Sequence, residues 1–188
     1  MGLDMYAARR VYVKQWNHQS PNERYTVQIA KGDQPVSGVQ PERISAIEED
    51  VMYWRKANHI HGWFVDNVQN GVDDCKSYRV SWDKLRELLG VCKKVIKASK
   101  LVDGSIYEGT VYDRDHPDGD VKRGPGKVIE DATVAKKLLP TSSGFFFGSE
   151  EYDEAYLDDV KGTRDWAARM LADSKAGVPG EIHYSSSW

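Results

Sequence analysis

The segment Tyr53–Phe64 is the part of this sequence richest in polar and aromatic side chains suited to binding or catalysis. Asn58 and His61 are three residues apart, so a helix would place them one turn apart on one face. The apolar spacing predicts such a helix and puts Trp54 on the same face. Burying an amide and an imidazole costs about 1–3 kcal/mol each unless both find partners. Two interpretations stay open: a structural network, or a pocket wall where Trp54 or Trp63 stacks on a ligand.

A second cluster follows that helix, where Asp73, Asp74 and Cys75 lie in a loop. A thiolate nucleophile needs a neighbouring base, so Cys75 with His59 or His61 would form a nucleophile and its base. If the protein is an enzyme, the predicted catalytic residues are therefore His61, Cys75 and Asp74. The two adjacent carboxylates also fit a solvated turn, and no Cys-rich zinc motif accompanies them. We therefore predict no metal site.

A third candidate is Thr141–Gly144, whose hydroxyl residues and glycine suit a loop that presents backbone N–H groups to an anion. The loop lacks the Gly-Lys-Ser/Thr ending of a Walker sequence. Thr141, Ser142 and Ser143 are the predicted contacts between this loop and a phosphate. Ser149, which two glutamates follow, is predicted to cap the next helix.

The composition is that of a folded globular domain. The 188 residues are 40% hydrophobic and 29% charged, and the net charge of −3 disfavours a general nucleic-acid binder. No apolar run approaches the ~20 residues needed to span a bilayer, and the N-terminal segment lacks the pattern of a signal peptide. The two cysteines build no disulfide framework, and Cys92 is predicted to lie in the core. We therefore predict a cytoplasmic protein without a membrane partner.

The apolar pattern predicts the α+β class, with a small, mostly antiparallel sheet packed against three main helices. The main helices are predicted over residues 41–70, 81–99 and 150–173, and a short helix over 131–139. Strands are predicted over 3–13, 25–29, 78–80, 145–148 and 181–188. Residues 101–130 predict a β-hairpin with a turn-rich tip at 113–126, inserted into a single domain that covers residues 1–188.

Five stretches of this sequence together resemble one family: Met1–Tyr6, Tyr53–Phe64, Val68–Cys75, Leu139–Ser149 and Tyr184–Trp188. The family comprises small, mostly uncharacterised proteins encoded by bacteriophages and bacterial mobile elements. The resemblance implies a viral protein that acts in the cytosol of a host bacterium, and it implies no particular reaction. Typical members resemble this chain less over 101–130, where the segment is longer here, so the resemblance implies no role for the hairpin.

That setting predicts a phage-encoded binding protein with an anti-defence role, which sequesters a nucleotide-like signal of host immunity. Such a protein needs aromatic stacking, cations for phosphates and backbone donors, but no cofactor. The predicted ligand-binding residues are Trp54, Arg55, Asn58, His61, Trp63, Thr141, Ser142 and Ser143. One alternative is an enzyme that acts on a nucleotide or related metabolite. Another is an inhibitor that contacts a host defence protein through exposed aromatics or the hairpin. Homo-oligomerisation stays open in each case.

Overall fold

The computed structural model describes residues 2–112, 114, 117, 119–144 and 146–188. The predicted α+β class is confirmed. In the described part of the chain, the strands are β1 (Asp4–Tyr12), β2 (Ala30–Lys31), β3 (Gln34–Pro35), β4 (Ala46–Arg55), β5 (Tyr78–Val80), β6 (Leu101–Val111), β7 (Asp120–Ile129) and β8 (Glu181–Ser187). The helices are α1 (Asn58–Asn67), α2 (Trp82–Ala98), α3 (Thr133–Leu138) and α4 (Glu154–Lys175).

The main sheet has the strand order β4-β1-β8-β5, and every neighbouring pair is antiparallel. Because side chains alternate across a strand, this sheet has one buried and one exposed face. Met5 on β1 faces the core opposite Trp54, while the next residue, Tyr6, faces outward opposite Tyr53. The sheet therefore contributes one face to the core.

Aromatic packing joins the sheet to the helices. The ring of Phe64 from α1 stacks on Tyr184 from β8, with centroids 3.9 Å apart. Trp54 packs edge-on against Trp166 of α4 at 5.2 Å, and its indole Nε1–H donates to Thr163 Oγ1 at 2.8 Å. This bond satisfies the polar edge of a buried indole, as such burial requires. The three main helices and the sheet thus share one core.

The helix predicted over 41–70 is wrong in its first half. Residues 46–55 form strand β4, which pairs with β1 along its length. The helical spacing of Ile47 and Val51 is outweighed because β4 supplies the backbone hydrogen bonds that β1 needs on this edge. Arg10 of β1 also pairs across the strands with Glu48 at 2.7 Å. Lys56, with φ +58°, ends the strand, and α1 begins two residues later.

The strand predicted over 3–13 is confirmed as β1, and three further differences concern local elements. The described residues 25–29, predicted as a second strand, form no strand. Residues 146–148 contain a turn where a strand was predicted, and Phe145 lies outside the described residues. The predicted cap Ser149 is also wrong. Asp153 caps α4 instead, since its Oδ1 accepts from the backbone nitrogen of Tyr156 at 2.9 Å.

The predicted hairpin is confirmed as the antiparallel pair β6–β7. Positions 113, 115, 116 and 118 of its predicted tip lie outside the described residues. At its base, Ile129 N donates to Tyr152 O at 2.8 Å. Farther out, the Arg123 guanidinium holds the Glu151 carboxylate through two bonds of 2.8 and 3.0 Å. The hairpin is therefore attached to the segment that leads into α4.

Two more predictions, both on α2, are confirmed. The Ser81 hydroxyl accepts from Lys84 N at 3.2 Å and so caps α2, as predicted. Cys92 is fully buried on the same helix, where burial raises the pKa of its thiol to about 12. Among the described helices, none is both long and apolar enough to cross a membrane.

Candidate ligand-binding cleft

Asn58, at the first turn of α1, holds the loop that precedes α4. Its Nδ2 donates to the carbonyl oxygens of Phe147 and Ser149, each at 2.9 Å. Its Oδ1 accepts from the backbone nitrogen of Ser142 at 2.9 Å. The amide is buried and satisfied at both ends, as a buried amide must be. The structure thus brings together the predicted residues Asn58 and Ser142, through contacts that shape the loop 141–149.

Thr141 fastens the same loop to the residues that follow it. Its hydroxyl donates to Glu150 O at 3.1 Å, and its backbone nitrogen donates to the Tyr152 hydroxyl at 3.1 Å. The Tyr156 hydroxyl donates to Leu139 O at 3.0 Å, which closes the loop at its base. Ser143 is exposed at the tip of the loop. Thr141 and Ser142 therefore position this segment, and their contact with a ligand stays a prediction.

A small cavity lies behind this loop, between the β4–α1 junction and the first turns of α4. We call it the inner chamber, and its volume is about 190 Å³. At ~30 Å³ per water molecule, that volume corresponds to about six waters. The chamber is lined by Arg55, Lys56, His59, Gly148, Ser149, Glu151, Asp153, Ala155, Tyr156 and Asp159.

A second cavity of about 580 Å³, the outer chamber, adjoins the first. Both are lined by Gly148, Ser149 and Glu151, so the two chambers share a wall, and we refer to them together as the cleft. The other lining residues of the outer chamber are Tyr107, Lys136, Glu150 and Tyr152. Tyr107 belongs to β6, so the inserted hairpin forms one wall of the cleft.

His59 is a deeply buried titratable group of the cleft. It is 4% exposed, and its ring lies 4.2 Å from the ring of Tyr156. Burial lowers the pKa of this imidazole to about 3, so it is neutral at physiological pH. Its buried Nε2 has no hydrogen-bond partner among the described residues. A buried nitrogen without a partner calls for an explanation in a native fold.

Asp159, on α4, is the second unusual group of the inner chamber. Burial raises the pKa of its carboxyl to about 7, and the nearby carboxylates of Asp153 and Asp158 raise it further. No side chain or backbone group in the described structure bonds or pairs with this carboxyl. The group therefore changes its charge near neutral pH, which is typical of functional sites. Sequence reasoning missed it because α4 carries many acidic residues and nothing local distinguishes this one.

Cations lie at the rim of the cleft. Arg55 is exposed and pairs with Asp4 at 3.3 Å, and Lys136 Nζ lies 5.6 Å from the ring centroid of Tyr152. Lys56 packs against Gly148, where a Cβ atom would lie 2.8 Å from Lys56 Cβ. Gly148 also has φ +91°, which favours glycine, so this close approach depends on its missing side chain. Of the predicted ligand-binding residues, Arg55 lines the cleft.

The predicted catalytic residue His61 lies elsewhere, in a buried network. Its Nδ1 is 2.8 Å from the Tyr184 hydroxyl, and its Nε2 is 2.9 Å from Asp73 Oδ2. Both ring nitrogens are therefore occupied, whereas a base for Cys75 needs a free one. Burial raises the pKa of Tyr184, which keeps its hydroxyl a hydrogen-bond donor. Asp74 bonds to Lys76 and Tyr78 instead of joining this network.

The remaining predicted residues lie in the core. Trp63 is 7% exposed and packs edge-on against Phe64 at 5.4 Å, and Trp54 bonds to Thr163 as described above. Stacking of either indole on a ligand stays a prediction. Sequence spacing had placed Trp54, Asn58 and His61 on one helical face. Asn58 and His61 do lie one turn apart on α1, but Trp54 lies on strand β4.

The fold and this cleft define an α+β protein with one two-chamber site. No protein-family model, curated protein or solved structure matches the chain. Among the described residues, no group of three or more His, Cys, Asp or Glu side chains is arranged to hold a metal ion.

Proposed function

We propose that this protein binds a small nucleotide-like molecule in the two-chamber cleft, with the heterocycle in the inner chamber and the phosphate toward the rim. In this proposal it is a phage-encoded protein that acts in the host cytosol. It sequesters a nucleotide signal of host defence and releases it unchanged. The sequence resemblance supports the setting, and the cleft supports the mode of action.

One observation carries the proposal: His59 and Asp159 both line the inner chamber, and among the described residues neither the His59 Nε2 nor the Asp159 carboxyl has a partner. The buried His59 nitrogen costs folding free energy, since a buried polar group is stabilised only when it is bonded. The Asp159 carboxyl is partly buried, and its raised pKa reflects a charge that the protein does not compensate. Groups that weaken a fold in a cleft are typical of binding and catalytic sites, where a ligand supplies the missing bonds.

The outer chamber has the chemistry that the rest of a nucleotide needs. Tyr107 and Tyr152 offer aromatic faces, and Glu150 offers a carboxylate acceptor for sugar hydroxyls. Lys136, with Arg55 and Lys56 from the inner chamber, supplies cations for phosphate. This combination of aromatic, acceptor and cationic groups is typical of sites that hold a nucleotide through its whole length.

The first test is incubation of purified protein with a panel of mono-, di- and cyclic nucleotides. Chromatography with mass spectrometry follows the free pool before and after heat denaturation. A nucleotide that disappears and returns intact supports sequestration. A product of new mass would show catalysis and replace sequestration with the enzyme hypothesis. If no nucleotide is depleted at any protein concentration, the proposal is wrong.

A matched pair of tyrosine variants locates the binding. Tyr107→Ala removes the aromatic wall that the hairpin supplies to the outer chamber, and we expect it to weaken nucleotide binding about tenfold or more. Tyr112→Ala removes a more exposed tyrosine near the end of β6, at 70% exposure, and should leave affinity unchanged. Equal effects of the two substitutions would contradict binding in the cleft.

A second candidate function rests on the far end of the hairpin. Tyr112 and Val121 are exposed there, at 70% and 55%. Exposed apolar side chains on a projecting hairpin are suited to contact with another protein. In this alternative the protein inhibits a host defence protein directly. Tyr112→Ala combined with Val121→Ser would then abolish anti-defence activity, while Tyr107→Ala would not.

A further inference from the structure

Among the described residues, the Asp159 carboxyl of the inner chamber has no protein partner. Glu151 is held by Arg123, and Asp153 caps α4 through Oδ1. Asp159 has no such bond within the described residues, and Asp153 and Asp158 are the charged groups that disturb it. An ionised carboxylate offers two parallel acceptors and no donor. Its best partner is a pair of N–H donors side by side, as in the two-bond contacts that carboxylates form with planar nitrogen groups.

We propose that the inner chamber selects a heterocycle with two adjacent N–H donors, of which guanine is the common nucleotide example, and that Asp159 is its specificity residue. This inference rests on the proposed function and identifies the ligand class of the same site. Guanine presents its ring N1–H beside its exocyclic 2-amino group. Adenine presents a ring acceptor there, and hypoxanthine has no 2-amino group.

The cations along the cleft favour a ligand that carries a phosphate. A guanidinium compound would also satisfy the carboxylate, beside which Asp153 and Asp158 are negatively charged, but it has no phosphate for Arg55, Lys56 and Lys136. These cations attract a phosphate. The chamber volume of about 190 Å³ is sufficient for a heterocycle. A heterocycle joined to a phosphate therefore matches both chambers.

Donor pairing also explains why an unpaired acid is kept in the chamber. In the unliganded protein, burial favours the protonated carboxyl, because nothing compensates its charge. Two N–H donors would compensate it and favour the ionised form. The neighbouring His59 is neutral, so it does not compete with the ligand for the charge of Asp159. The ring of Tyr156, which also lines the chamber, offers an apolar surface to the heterocycle.

The test is isothermal titration calorimetry of the full chain with GMP, IMP and AMP at pH 8, where Asp159 is ionised. Removing one hydrogen bond to a charged group weakens binding by about 10- to 100-fold. We therefore expect GMP to bind at least about tenfold more tightly than IMP, with AMP weakest. Asp159→Asn should reduce GMP affinity to the level of IMP.

Asp165→Asn is the matched control, because Asp165 lies on the exposed side of the same helix and pairs with Arg164 at 2.8 Å. It should leave all three affinities unchanged. If the three nucleotides bind equally, or if Asp159→Asn keeps the preference for GMP, the inference is wrong and the proposed function stands. If the panel contains no nucleotide that binds, both are wrong.

Discussion

The side-chain oxygen of Asn58 lies 2.9 Å from the backbone nitrogen of Ser142, a residue 84 positions later in the chain. This bond joins the start of α1 to the loop that closes the inner chamber. The other end of the same amide holds Phe147 O and Ser149 O. One buried side chain therefore sets the position of a wall of the cleft. Asn58 interrupts an apolar stretch of the sequence, and these hydrogen bonds explain why a polar residue lies there.

Asn58→Ala should lower both stability and ligand affinity. The substitution removes three hydrogen bonds and leaves one backbone N–H and two carbonyls without their partner. We expect the free energy of unfolding to fall by about 2–4 kcal/mol in urea denaturation. Asn67→Ala is the control on the same helix, because Asn67 makes one bond, to Trp63 O at 2.9 Å. A loss of about 1 kcal/mol or less is expected there, and equal losses would contradict the assignment.

Asp159→Asn should stabilise the protein, and the gain should depend on pH. The pKa of Asp159 is 3.8 as a free group and about 7 in the fold, so folding binds a proton between these values. In the wild type, the contribution of Asp159 to the free energy of unfolding is complete below pH 4 and is lost as the pH rises through 7. The side chain introduced by Asp159→Asn does not titrate, so the free energy of unfolding of this variant does not fall for this reason. Its gain at pH 8 is at most about 4 kcal/mol, at ~1.4 kcal/mol per pH unit.

Thermal or urea unfolding of wild type and variant at pH 4 and pH 8 measures this gain. The charged and titratable groups around Asp159 are Arg55, Lys56, His59, Glu151, Asp153, Tyr156 and Asp158. They are unchanged in the variant, so their contributions cancel in the difference. A gain that is equal at the two pH values would show that Asp159 does not titrate with a raised pKa.

His61→Phe should destabilise the fold because His61 has a structural role and not a catalytic one. The ring keeps its volume, but the Tyr184 hydroxyl and Asp73 lose their shared partner in a buried network. We expect a loss of about 2–4 kcal/mol in the free energy of unfolding. Cys75→Ser is the companion variant. Cys75 is exposed, and its substitution should change neither stability nor nucleotide binding. If Cys75→Ser abolished conversion of a nucleotide, the enzyme hypothesis would be restored.

Arg123→Ala should loosen the hairpin and weaken ligand binding. Arg123 connects β7 to Glu151, which lines both chambers. The pair is exposed, so the melting temperature should change little, whereas GMP affinity should fall several-fold because one wall loses its position. Lys127→Ala is the control, since Lys127 pairs with Asp103 within the hairpin at 2.6 Å. Calorimetry with GMP measures the affinity of both variants. An unchanged affinity for Arg123→Ala would rule out a role for the Arg123–Glu151 pair in ligand binding.

Several elements were predictable because their signals are local. Helix α2 has a Ser81 cap and an apolar stripe, and these act within a few turns of one segment. The hairpin was predictable from two extended segments around a turn-rich stretch. Strand β4 was not, because its apolar spacing fits a helix and its hydrogen-bond partner, β1, lies some forty residues earlier. Local periodicity cannot include a partner so far away.

For the site, the sequence by itself determined the residue types: an amide and imidazoles in one segment, hydroxyl residues in another, and many acids on α4. Tertiary structure decided what each does. It satisfied Asn58 and His61 with internal partners, and it left His59 and Asp159 without them in one chamber. The physical reason is that burial and pairing set the energy and charge of a polar group. Both depend on which distant segments the fold brings against it.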